Sequence, residues 1–351
     1  MSGPPQSADL PARAPGYIVG AAYDWLFFLA PPLLALGLGW SISGTDFSDL
    51  AFQWWDWEMT WAGLLIGIFI HAHLVLVFAR SHGNRDIFAR HKLRFLLVPV
   101  ALYVAMLSSN WVIYIGSVVA TFWDVYHSGM QTFGFGRIYD AKAGNDPKIG
   151  RSLDWGLNQL LYAGPIVAGA VMLDHFEDFT EFEQMGVYFF SEIPVWMEGN
   201  QRYLSYAILG LGAVYLLYYL YSYWRLHRDG HAISWQKVFL YTSTGGVSLY
   251  AWGFNSWGEA FFIMNFFHAL QYFGLVWAME KKNMEKTLRI DGTRIGKWLT
   301  LAVFLCLPLL YGTWVQYMDP GIHMLWAISL VVSLMHFWYD GFVWSVQKQQ
   351  V

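Results

Sequence analysis

Four histidines stand in otherwise apolar segments of this 351-residue chain: His71 in TWAGLLIGIFIHAHLVLVFA, His127 in TFWDVYHSGMQ, His268 in FFIMNFFHALQYF and His336 in SLVVSLMHFWYD. An ionisable side chain in hydrocarbon is costly and by default marks a site. Imidazole is also the commonest metal ligand among side chains. His71, His127, His268 and His336 precede the basic residues Arg80, Arg137, Lys281 and Lys348 by 9, 10, 13 and 12 positions. At 1.5 Å per residue these intervals are roughly 14 to 20 Å, so the four share a slab about one helical turn deep. One metal ion shared by four helices is the chemistry this pattern predicts.

Neighbours at helical spacing extend the set, because residues three or four apart share a helix face. Asp124 and Gln131 flank His127, Asn265 and Gln271 flank His268, and Ser333 and Asp340 flank His336. Metal-bound histidines commonly give their second ring N–H to a carboxylate or carbonyl. Asp124 and Asp340 suit that role, or ligation itself, and are the expected catalytic carboxylates. Gln131, Asn265 and Gln271 are the expected polar contacts to a cofactor. His71 and His73 lie about 200° apart on a helix, so one of them faces the cavity, and His71 is the expected ligand.

The elements that must position these residues follow from composition. With 56% hydrophobic and 13% charged residues, 20 Trp and 21 Tyr, the chain departs far from a soluble average. Crossing a hydrocarbon core of about 30 Å takes about 20 mostly apolar residues. Ten segments qualify, at about 21–42, 60–79, 94–109, 111–136, 155–173, 203–224, 236–253, 255–279, 296–315 and 322–347. The expected fold is all-α and polytopic, a single transmembrane domain over 16–351. The segments 80–94, 137–151, 225–237 and 281–297 are rich in Lys and Arg, and ten spans put all but Arg202 of the 21 basic residues on one side. Basic loops stay cytoplasmic, which predicts cytoplasmic termini and a bacterial inner membrane.

Residues 1–15 are too polar and Pro-rich to fold alone and read as a disordered tail. Pro31 and Pro32 should kink a first span that is retained rather than cleaved. The segment 174–202 is an acidic outer loop, and 43–59, with WWDWEM, a Trp-rich anchor at headgroup depth. His82, His91, His227 and His231 fall in basic loops and read as solvated. His175 and His323, at the outer edge, read as structural.

Several function classes are excluded. The lone Cys306 rules out intrachain disulfides and thiolate-rich metal sites. No phosphate-binding loop, dinucleotide-binding glycine pattern or zincin motif occurs, and topology accounts for the basic loops without nucleic acid. Imidazole with carboxylate suits iron, copper or zinc, and three or four His with one Asp best fits nonhaem iron. In lipid such a site would act with O2 on a lipophilic substrate, supplied with electrons by a redox partner protein. Haem held between two of the histidines, or a pigment with a central magnesium held by single ones, in an electron-transfer subunit of a membrane complex, is the alternative cofactor reading. A proton-coupled transporter is the other, although the two halves of the chain show no clear repeat.

FHALQYFGLVW (267–277), WDVYHSGMQTFGFGRIYDAK (123–142) and HFWYDGFVW (336–344) resemble motifs of bacterial multi-pass membrane proteins of unassigned activity. In design, with lone intramembrane histidines on separate helices, the chain is similar to the Brp/Blh family of membrane β-carotene-cleaving dioxygenases. That resemblance implies intramembrane His ligands for iron. The histidine-box set of membrane desaturases and hydroxylases, HxxxH together with HxxHH, is absent, since no HxxHH occurs.

Overall fold

The computed structural model describes residues 16–54, 57–169, 199–293, 295–319 and 322–344. The expected tail at 1–15 and the acidic loop up to residue 198 lie outside these residues.

The described chain is all-α apart from one hairpin. Its principal helices are α1 (Pro31–Ile42), α2 (Trp61–Ser81), α3 (Arg85–Ser108), α4 (Asn110–Lys142), α5 (Arg151–Gly169), α6 (Gln201–Arg228), α7 (Trp235–Phe254), α8 (Trp257–Thr287), α9 (Gly296–Tyr317) and α10 (His323–Val343). Local sequence sets several of the starts. Thr60, Asn84, Ser234 and Ser256 each accept a backbone N–H from the first turn of the helix that follows, the usual use of a short polar N-cap. Ser256 and Glu259 add the S-x-x-E arrangement of a capping box, their side chains 3.1 Å apart.

The segment before α1 bends as the Pro pair predicts. A helical turn (Ala21–Asp24) runs into π-helix (Trp25–Leu29), and α1 departs from that direction by 51°. Proline offers no N–H to the preceding turn, so the ladder breaks there. Asp24 fixes the entry: its carboxylate accepts the backbone N–H groups of Ile18, Val19 and Gly20 and the Tyr139 hydroxyl.

Two loops expected from sequence take other forms. In the Trp-rich outer connection, β1 (Ala51–Trp54) pairs antiparallel with β2 (Trp57–Thr60), Ala51 opposite Thr60. The basic segment 80–94 is mostly helix, since α3 starts at Arg85 and is interrupted only at His91, whose φ of −125° and ψ of 20° are not helical.

Six helices, α2, α3, α6, α8, α9 and α10, are long and apolar enough to cross a membrane, and the bent pair before and within α1 makes a seventh if counted as one span. Their outer surfaces are apolar: Leu96, Leu97, Val100 and Val104 of α3, and Leu209, Leu211, Val214 and Leu217 of α6, are all exposed. Contiguous apolar surface on this scale is the mark of a lipid-facing exterior. The other three helices, α4, α5 and α7, bury polar side chains such as His127, Asn158 and Thr244, which lowers their hydropathy.

Close helix contacts are made at glycines. A methyl group at Gly312 of α9 would lie 2.1 Å from the Ile68 carbonyl of α2, so these helices approach backbone to backbone, the small-residue packing that lipid favours. Ala72, Leu76 and Val77 of α2, Tyr272 and Val276 of α8 and Leu334 and Met335 of α10 share one buried apolar cluster. Those three helices also carry His73, His268 and His336.

Candidate metal centre

His73 of α2, His127 of α4, His268 of α8 and His336 of α10 converge, each offering a ring nitrogen, with these atoms all within 4.8 Å of one another. All four residues are buried: His73 and His336 are 0% exposed, His268 1% and His127 7%. The rings form a closed cycle. Centroid separations are 5.0 Å (His73–His268), 5.1 Å (His268–His127), 4.7 Å (His127–His336) and 4.9 Å (His336–His73), and every neighbouring pair is near perpendicular.

The second helix therefore contributes His73 rather than the expected His71. His71 turns away, its Nδ1 donating to the Gly67 carbonyl at 2.8 Å and lying 3.3 Å from Gln316 Nε2 of α9. The reason is rotational. Gly67 lets α9 approach that face, where Gln316 packs against it, and a residue about 200° further round must point to the interior.

Hydrogen bonding leaves nitrogen lone pairs directed inward. His336 Nδ1 donates to the Leu74 carbonyl at 3.0 Å, so its Nε2 carries the lone pair, 3.1 Å from His127 Nε2. His268 Nε2 and both ring nitrogens of His73 make no hydrogen bond of normal geometry. A buried polar atom without a partner costs about 1–3 kcal/mol. Several of them facing one point are satisfied together by a cation.

Asp340 stands one turn after His336. Its Oδ2 is 3.7 Å from both His127 Nε2 and His336 Nε2. Its Oδ1 accepts the Tyr272 hydroxyl at 2.7 Å and the Trp344 indole N–H at 2.9 Å, which fixes the carboxylate against the cluster. His336, Asp340 and Trp344 form an i, i+4, i+8 ladder on α10, and His268 and Tyr272 an i, i+4 pair on α8. The Tyr272 ring lies 4.8 Å from that of His336. Tyr272 and Trp344 were missed in the sequence, although their spacing from His268 and Asp340 was the available signal.

The other expected residues divide. Gln131 Nε2 donates to the His268 carbonyl and to Gln271 Oε1, both at 3.0 Å, and Gln271 Nε2 donates to the Phe28 carbonyl at 2.8 Å. The two glutamines tie α4, α8 and the π-helical segment together behind His268. Asn265 donates to the Phe261 carbonyl of its own helix. Asp124 makes no hydrogen bond or ion pair with a histidine among the described residues, and its electrostatic neighbour is Tyr162. We expect Asp340→Asn to weaken metal affinity about 10-fold to 100-fold, the range for a residue that orients ligands. Asp124→Asn and Glu259→Gln should leave affinity unchanged. Titration of the three variants with iron checks this, and equal affinities for all three would remove Asp340 from the site.

A cavity of about 470 Å³ reaches His127 and Asp340 from the far end of α4, where Arg137, Pro147 and Arg151 line it. Behind it lies a buried charge cluster whose Arg137, Lys237 and His231 come from the segments expected as basic loops. Asp140 Oδ2 accepts from Arg137 and Lys237, each at 2.7 Å. Asp154 accepts from Arg137, from Lys237 and from the Tyr219 and Tyr223 hydroxyls. His231 Nε2 is 3.8 Å from Asp140, so this residue is packed against an ion pair rather than solvated. Burial, against the opposing pull of Asp140, holds it below the ordinary imidazole pKa. Arg80 is likewise buried, paired with Glu280 and stacked 4.1 Å over the Trp344 ring.

Comparison of the chain with protein-family models, with curated proteins and with solved structures found no match.

Proposed function

We propose that this chain is a membrane-embedded metalloprotein in which His73, His127, His268 and His336 bind one iron ion, and that it is an oxidoreductase using O2 on a lipophilic substrate. The observation that carries this reading is the convergence of four buried imidazoles, each with a ring nitrogen within 4.8 Å of the others. Four imidazoles with the Asp340 carboxylate beside them form a donor set that would suit nonhaem iron. Haem is the weaker reading. A macrocycle bound through two of these imidazoles would have to displace the other two, whose ring nitrogens lie within 4.8 Å.

Bound iron would supply one-electron redox chemistry at positions the imidazoles leave open. The chain's own residues do the rest. The aromatic cavity holds substrate beside His127 and keeps bulk water away. Asp340 Oδ2, facing both the cavity and the histidines, is the group placed to take or return a proton, while Tyr272 and Trp344 hold its other oxygen. Elemental analysis and an absorption spectrum of the purified protein test the proposal. One iron per chain without a Soret band is expected; a Soret band, or purified protein that takes up no metal, would overturn it.

The same reading places the chain in a bacterial inner membrane with ten spans and cytoplasmic termini. It rests on the segregation of basic residues and on the polar faces of α4, α5 and α7 being packed inside the bundle, where low hydropathy is tolerated. A reporter fused after residue 190 should be periplasmic, and one fused after residue 288 cytoplasmic. The opposite side at either position would require a different number of spans.

A further inference from the structure

The cavity's length and charge say what it is built to hold. Its lining on α4 runs from Trp123 to Ile138, 15 residue steps or about 22 Å of helix. The slot is therefore elongated along α4. Its walls are aromatic, with Trp123, Phe133, Phe337 and Trp338 among them.

Charge is asymmetric along this slot. Arg151 at one end lies over the Phe133 ring at 5.4 Å and has no carboxylate partner among the described residues. Beside it, Arg137 spends its terminal nitrogens on Asp140, Asp154 and the carbonyls of Pro147 and Ile149. Its Nε–H is buried and unpartnered. The one carboxylate in the lining, Asp340, sits further in beside the histidines. At the other end Tyr126, which also lines the slot, is 42% exposed on the apolar exterior.

We propose that this slot binds a single acyl chain carrying an anionic head, with the head at Arg151 and Arg137 and the chain passing His127 and Asp340 before leaving between Trp123 and Tyr126. The proposal adds a substrate class to the metal-centre reading and rests on it only for the chemistry, not for the binding. His127 lies ten residues before Arg137, so the carbons nearest the metal are about 15 Å from the head. They are mid-chain carbons, not the chain end. A free long-chain carboxylate and the acyl chain of an anionic phospholipid share this chemistry.

The test uses full-length protein in phosphatidylcholine nanodiscs and a long-chain carboxylate bearing a mid-chain diazirine. After irradiation, label should map to Trp123, Met130, Phe337 or Trp338. Unlabelled long-chain carboxylate should displace the probe, and the matching alcohol should need about 10-fold more, the loss expected when a charge-assisted hydrogen bond is removed. Arg151→Gln should erase that difference and Arg151→Lys should largely keep it. Competition by phosphatidylglycerol as effective as by free carboxylate would identify the occupant as a membrane lipid, within the same proposal. Equal displacement by alcohol and carboxylate in the wild type, or label confined to lipid-facing residues such as Leu209 and Leu217, would overturn it. Iron is measured on the same samples. Cavity labelling without iron would sink the metal reading alone, and iron without cavity labelling the acyl-chain proposal alone.

Discussion

His73→Ala should abolish stoichiometric iron binding while His71→Ala leaves it intact, although the two residues are separated by a single position. The loss should exceed the roughly 10-fold to 100-fold typical of an outer partner, because a ligand is removed and three imidazoles remain to face a cavity where water cannot reach every nitrogen. His127→Ala, His268→Ala and His336→Ala should behave like His73→Ala, with insertion and expression preserved. Iron per chain after purification, measured beside a membrane-fraction blot, decides the matter. Full occupancy in two of these four variants would end the proposal, and loss in His71→Ala would show that the second helix is rotated from the position described.

The largest effect on stability is expected at Asp154. Its two oxygens receive Arg137, Lys237, Tyr219 and Tyr223, joining α4, α5, α6 and α7. Asp154→Ala leaves Arg137 and Lys237 sharing Asp140 alone, an uncompensated buried charge. Removing one partner of a buried ion pair costs about 3–5 kcal/mol. Asp229→Ala, at an exposed helix end, should stay within about 0.5 kcal/mol. Thermal unfolding in detergent compares the two; similar midpoints would mean that the cluster relaxes by admitting water.

Three of the four convergent histidines were legible because depth and polar neighbours mark them without any tertiary knowledge. His71 and His73 were not separable, since both lie in the same apolar run and neither has a polar residue at helical spacing to show which face is inward. The choice is made by Gln316, 245 positions away from His71. The charge cluster was hidden for a related reason. Arg137 and Lys237 look like topological anchors because Asp154 reaches them only after α4, α5 and α7 pack, although Asp140 stands one turn from Arg137 on α4 itself. Asp340 was visible as one turn from His336. Asp124 satisfies the same spacing rule beside His127 and yet has no histidine contact, because proximity along a helix fixes a face only to within the width of a side chain.

The ligands' distribution along the chain has a consequence for assembly. His336 is synthesised 263 residues after His73, and every intermediate that lacks α10 holds an incomplete ring of imidazoles. During insertion the first three histidines face a gap that only the last helix closes, bringing with it Asp340 and Trp344. With the proposed ion, loading would follow translation and report on its completion. The closed ring would then staple helices from both halves of the chain, release of the ion would require parting packed helices, and exchange with free metal should be slow.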